Sequence, residues 1–383
     1  MNDSDTAPMK KLLIIFTALA AVACGSEKRQ PALLDPAAFA DTLEGKPVAL
    51  YTLKNGGLTL QVTNFGARVA SIWAPDRKGN YDNVVVGRAT LADYVHPAGE
   101  RFLGACVGPV ANRIANATFS IGDETFLTPA NEAGITTLHG GYKGLDNVVW
   151  DVKDFDESSI LLSYLHEDGQ EGFPGNLSIE MRYELTPSAE FRITYKAVTD
   201  RPTPVNITNH PFFNLSGEGS GSIEDCVMTI NASEYIPIDE HSIPLGGTAS
   251  VEGTPFDFRE PHAIGERIGE ENEQLRNARG YDHNWCLDRK GEGLEQACTV
   301  YDPASGRFLE VLTDQIGLQF YSGNFFDGND VGSNGKPLIF RSSLALETQY
   351  FPDSPNHPEY PSILLNPGET YTHECIYRFS TKK

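Results

Sequence analysis

The chain has 383 residues, 30 Lys plus Arg against 52 Asp plus Glu, a net charge of −22 and 40% hydrophobic residues. That hydrophobic content supplies a packed core and excludes wholesale disorder, and the acidic balance excludes a nucleic-acid partner, which needs basic patches. No stretch is long enough to span a bilayer as a helix.

At the N-terminus, Lys10-Lys11 precede the apolar run Leu12–Ala23, which ends at Cys24-Gly25-Ser26. A basic start, a short apolar core and small residues at the end describe an export signal. Ala21-Val22-Ala23-Cys24 resembles a bacterial lipobox, with Ala21 where Leu is commonest. Residues 1–23 are therefore expected to be removed and Cys24 to carry lipid. This places the protein in the periplasm or outer membrane of a Gram-negative bacterium, touching membrane only through the anchor at Cys24. Residues 24–46 read as a tether, with a weak helical piece over Asp35–Leu43.

From residue 47 on, period-two alternation dominates. Leu58, Leu60 and Val62 alternate with Thr59, Gln61 and Thr63; Phe191, Ile193, Tyr195 and Ala197 alternate with Arg192, Thr194 and Lys196. Tyr371, His373, Cys375, Tyr377 and Phe379 repeat the pattern at the C-terminus. Strands of this kind turn one face to a core and one to water, as in antiparallel sheets. The 36 glycines and 24 prolines are enough to punctuate many short strands. The best helix candidate, Pro261–Leu275, is short and polar. No linker divides residues 47–383, so the sequence predicts one large all-β domain, a sandwich of antiparallel sheets. Cys106, Cys226, Cys286, Cys298 and Cys375 have no metal-site or disulfide-scaffold spacing. They read as buried small hydrophobes.

Polar residues gather where half-buried strands should be apolar. Arg113 stands in Ala111-Asn112-Arg113-Ile114 and His139 in Leu138-His139-Gly140-Gly141. His210 lies in Asn209-His210-Pro211-Phe212-Phe213, where Pro211 biases it to an extended conformation. Asp282 sits in Gly280-Tyr281-Asp282-His283, and Glu347 in Leu344-Ala345-Leu346-Glu347-Thr348-Gln349. A buried charge needs a partner or a task. Singly, each is more often a structural ion pair than a site.

In this order, and with Gly317-Leu318-Gln319-Phe320-Tyr321-Ser322-Gly323-Asn324 added, these motifs resemble the aldose 1-epimerase, or galactose mutarotase, family over residues 47–380. The resemblance implies a β-sandwich of large twisted antiparallel sheets with an open sugar cleft. It implies interconversion of the α and β anomers of free aldohexoses such as galactose and glucose, a small-molecule aldose as the partner, and no required cofactor. Glu347 would be the base and His210 the acid, with His139 near the ring oxygen. Arg113, Asp282 and Gln319 match hydroxyl-binding positions, with Asn112 beside Arg113 and Phe212 beside His210. One carboxylate and one imidazole suffice for the chemistry and predict a bell-shaped pH profile, acidic limb from Glu347 and basic limb from His210. The chain departs from the family pattern at Pro211-Phe212, where Ser or Thr then Tyr often follow the histidine, and at Gly108-Pro109-Val110, where an Arg-Tyr pair is more usual.

Three other readings fit parts of the pattern. Asp282 and Glu347 could form the carboxylate pair of a glycoside hydrolase, although that chemistry has no need of the two histidines. A sugar-binding lipoprotein would keep Arg113 and Asp282 without needing Glu347 opposite His210. A relative acting on sugar phosphates is disfavoured by the acidic chain. No metal ligand set is assigned, and the surplus carboxylates neither require nor exclude a structural cation such as calcium.

Overall fold

The computed structural model describes residues 28–383; the predicted export signal and Cys24 lie outside them. Among the described residues no helix is long and apolar enough to cross a membrane. The architecture rests on two large antiparallel sheets. One has nine strands, in the spatial order Asp151–Phe155, Ser159–His166, Leu177–Leu185, Glu190–Thr199, Tyr371–Thr381, Arg307–Thr313, Glu295–Tyr301, Val227–Ile230 and His262–Ala263. The other has seven, running Ala249–Ser250, Glu234–Tyr235, Asp282–Cys286, Gly317–Tyr321, Leu344–Gln349, Phe212–Phe213 and Val85–Val86. A four-stranded sheet, Leu50–Asn55, Leu58–Thr63, Arg68–Pro75 and Tyr81–Asn83, adds to these.

The predicted all-β fold is borne out, and its alternation is clearest in the nine-stranded sheet. Phe191, Ile193, Tyr195 and Ala197 are buried, whereas Arg192, Thr194 and Lys196 are not. Ile193 pairs Tyr183 on one side and Cys375 on the other. Their inward faces, with Leu318, Leu344 and Leu346 from the seven-stranded sheet, belong to one continuous core. Burial of each such side chain stabilises the fold by about 1.5–3 kcal/mol.

Leu58–Thr63 departs from the prediction, because all six residues are buried. The polar face is covered by the N-terminal segment rather than by water. Gln61 accepts from the Leu34 amide at 2.9 Å and donates to the Leu34 carbonyl at 3.1 Å, so its side chain satisfies backbone as a neighbouring strand would. The expected helical piece over Asp35–Leu43 is one 3-10 turn, Pro36–Phe39, capped by Asp35. The hairpin Asp41–Leu43/Lys46–Val48 follows it. Phe39 is fully buried with Val48, Phe65, Val86 and Tyr94, so this part of segment 24–46 lies against the domain.

The expected helix over 261–275 is two short ones, Ile264–Arg267 and Glu273–Ala278. Asn272 starts the second by accepting from the amides of Gln274 and Leu275, a capping role that ends the preceding chain direction. The five cysteines within the described residues are unpaired, four buried and Cys286 half-buried.

Candidate active site

Pleat alternation aims the candidate residues. In Leu344–Gln349, Leu344 and Leu346 face the main core, so Glu347 projects from the opposite face of the seven-stranded sheet. Glu347 pairs Gln319, and Asp282 pairs Tyr321 on the strand beyond. His210 ends Thr208–His210, which pairs Ala105–Val107, and Phe212–Phe213 joins the seven-stranded sheet beside Ala345 and Leu344. Pro211 stands at the transfer between them, where its missing N–H costs no ladder bond.

Arg113 and His139 come from a small strand pair in which Arg113 lies opposite Leu138. Asn112 and His139 both have left-handed backbone, φ 61° and 52°. His139 donates its amide to the Asn112 carbonyl at 2.9 Å, and the Asn112 amide donates to His139 Nδ1 at 3.1 Å. Gly140 (φ 85°) follows, and a Cβ there would run into the Gly108 carbonyl oxygen. The glycine therefore serves close backbone approach.

Asn112, Arg113, His139, His210, Phe212, Asp282 and Glu347 all line one cleft of about 520 Å³. Gln319 does not line it. Its amide donates to Asp282 Oδ1 at 2.7 Å, which makes it a support for that carboxylate. Sequence reasoning missed Glu100, Phe102, Glu132, Tyr321 and Phe325, which line the same cleft. Tyr321 lay inside a quoted motif and could have been found there, whereas Glu132 sits in a turn-like stretch without a signal.

At the centre, His210 Nε2 lies 3.3 Å from Glu347 Oε1. Phe212 stacks on His210 with centroids 4.7 Å apart, and His139 meets His210 edge-on at 5.3 Å. Burial pushes Glu347 well above the usual carboxylate range; Asp282 adds to the rise and Arg113 opposes it. Burial also lowers His210 and, with help from His210 and Arg113, His139. Asp282 is raised by burial against the pull of Arg113 and Gln319. The cleft therefore favours neutral histidines and places the shared proton of the His210–Glu347 pair on Glu347.

His139, His210 and Glu347 offer ligand atoms within 4.8 Å of one another, two imidazoles and a carboxylate that could in type hold a metal ion. The Asn112 amide argues against it. An acceptor Nδ1 puts the His139 proton on Nε2, which is then a donor and not a free lone pair.

Arg113 lines the cleft with one edge of its guanidinium engaged: Nε and Nη2 each donate to Glu132 at 2.7 Å, which leaves the Nη1 end for hydroxyl groups.

Large antiparallel sheets carrying a buried carboxylate–imidazole pair in an open cleft define an all-β protein with a site built for acid–base chemistry. Residues 49–378 match the aldose 1-epimerase family. The chain is 40% identical to galactose mutarotase of Rattus norvegicus over 88% of its length and 95% of that protein's. It is 39% identical to aldose 1-epimerase of Escherichia coli K12 over 88% and 96%. Among solved structures it resembles an aldose epimerase homologue from C. elegans (TM-score 0.81, 27% identity, covering 88% and 100%). It also resembles galactose 1-epimerase of Lactobacillus acidophilus (TM-score 0.78, 28% identity, covering 90% and 98%). The chain belongs to the aldose 1-epimerase family.

Proposed function

We propose that the protein interconverts the α and β anomers of free aldohexoses, galactose and glucose first among them. The observation that carries this reading is the buried His210–Glu347 contact at 3.3 Å in the cleft of a chain from this family. Mutarotation needs one group to take a proton and another to give one, at two oxygens on the same carbon. Glu347 removes the proton from the C1 hydroxyl while His210 protonates the ring oxygen, and the C1–O5 bond breaks to give the open aldehyde. After rotation about C1–C2, the O5 hydroxyl attacks the other face. His210 recovers its proton from O5 as Glu347 returns one to O1. The acting tautomer, carboxylate with imidazolium, forms when the shared proton moves across the contact. His139 directs Nε2–H toward charge developing near the ring oxygen. Arg113 and Asp282 hold hydroxyl groups, and Phe212 walls off water behind His210. Every step is a proton transfer these side chains can make, so the reaction calls for no cofactor.

The hydrolase reading is less well supported, because Glu347 faces an imidazole while Asp282 is engaged by Gln319. Export and lipidation at Cys24 remain part of the proposal on the sequence of residues 10–26. Polarimetry of freshly dissolved α-galactose tests the activity: purified protein should hasten equilibration, and release of new reducing ends from oligosaccharides would favour the hydrolase instead.

A further inference from the structure

Glu132 is the most firmly held carboxylate at the cleft wall, and the mechanism above gives it no task. It takes Arg113 Nε on Oε2 and Nη2 on Oε1, both at 2.7 Å. Thr136 Oγ1 donates to the same Oε2 at 2.8 Å. Glu132 and Thr136 also exchange backbone bonds at 3.1 and 3.2 Å across a tight turn through Ala133 (φ 51°) and Gly134 (φ 69°). Next to the turn, Asn131 receives the Leu138 amide at 2.7 Å and donates to its carbonyl at 3.0 Å. The turn is thereby fastened to the strand that leads into His139. With both oxygens engaged, and its side chain 28% exposed at the rim, Glu132 is poorly placed to bind sugar.

We propose that Glu132 is a positioning residue for the reaction, acting through Arg113: it orients the guanidinium so that Nη1 meets the sugar, and it offsets the positive charge presented to Glu347. This rests on the mutarotase reading. A bidentate pair fixes a guanidinium in rotation as well as position, which a single hydrogen bond does not. The charges around Arg113 are Glu132, Asp282 and Glu347, and Glu132 is the one joined to it by hydrogen bonds. Removing its charge leaves Arg113 free to stabilise the Glu347 carboxylate more strongly. Glu347 then gives up the proton of the catalytic pair at lower pH.

The test is steady-state polarimetry of galactose mutarotation over pH 4–9 with the wild-type chain, E132Q, E132D and T136V. E132Q is expected to raise KM about tenfold and to move the alkaline limb of kcat/KM to lower pH by on the order of one unit. E132D, which restores the charge at a shorter reach, is expected to bring the limb back while KM stays raised. E132Q with the wild-type KM and limb would overturn the proposal. If E132Q does not fold by circular dichroism, T136V decides: a raised KM at an unmoved limb supports the positioning role, and a wild-type KM overturns it. Absence of acceleration by the wild-type chain would instead refute the mutarotase reading itself.

Discussion

Asn112 and His139 hold each other by two hydrogen bonds, amide to Nδ1 and amide to carbonyl, both from left-handed backbone. The first of these fixes the imidazole as the Nε2–H tautomer, and burial keeps it neutral. A neutral donor aimed at a developing oxyanion is worth on the order of 10²–10³ in kcat. His139→Ala should lose activity in that range with a smaller change in KM, and His139→Gln, which keeps an N–H, should recover part of it. Equal losses in the two variants, read by polarimetry, would count against a donor role.

Glu347→Gln should lower kcat by about 10²–10⁴, the usual value of a positioned base, while sugar binding persists. His210→Asn should fall in the same range. Titration of the inactive Glu347→Gln variant with galactose in a calorimeter separates the two effects, and an unaltered rate in that variant would sink the mechanism.

The pH profile should still be bell-shaped, with its limbs exchanged relative to the sequence-based expectation. Burial disfavours the charged form of each partner, lowering His210 and raising Glu347. As pH rises, His210 sheds its proton first and Glu347 holds the remaining one. The one-proton pair is the working form and titrates as a unit. The acid limb of kcat/KM therefore belongs to His210 and lies below 6.5, and the alkaline limb belongs to Glu347 and lies above 4.5. Nitrogen-15 NMR should find the His210 ring neutral at pH 6; a protonated ring there contradicts the assignment.

Asp282→Asn should act mainly on KM. Its carboxylate takes Gln319 Nε2 at 2.7 Å and faces Arg113, and a hydrogen bond to a charged group is worth about 1.5–3 kcal/mol. A tenfold or greater rise in KM for galactose with kcat within a few-fold is expected. A collapse of kcat alone would place Asp282 in the proton transfers.

Phe39→Ala should destabilise the fold by about 3–5 kcal/mol, since the ring is fully buried in a second core with Phe65 and Tyr94. Thermal melting should show a single transition at lower temperature. An unchanged melting temperature would mean that this segment is held weakly.

Strands such as Phe191–Ala197 were legible because both of their faces are settled by local pattern. Leu58–Thr63 misled because its polar face is closed by Leu34, a partner that alternation within the strand cannot reveal. The cleft residues announced themselves as polar groups in apolar strands, and motif order brought them together. Glu132 had no such contrast, since a carboxylate among Pro129, Ala130, Asn131 and Gly134 looks like any solvated turn. The bond that gives it meaning crosses to Arg113, 19 residues away. Gln319 was found, but its support of Asp282 depends on strand register, which the sequence leaves unspecified.

Docking of Arg29 onto the domain sets a leash length: its carbonyl accepts from the Tyr81 amide at 2.9 Å and its guanidinium pairs with Asp82 at 2.7 Å. Arg29 follows Cys24 by five positions, and at about 3.3–3.6 Å per residue that span reaches roughly 18 Å at most. If Cys24 carries the proposed lipid, so short a span would hold the domain against the surface of the bilayer that anchors it.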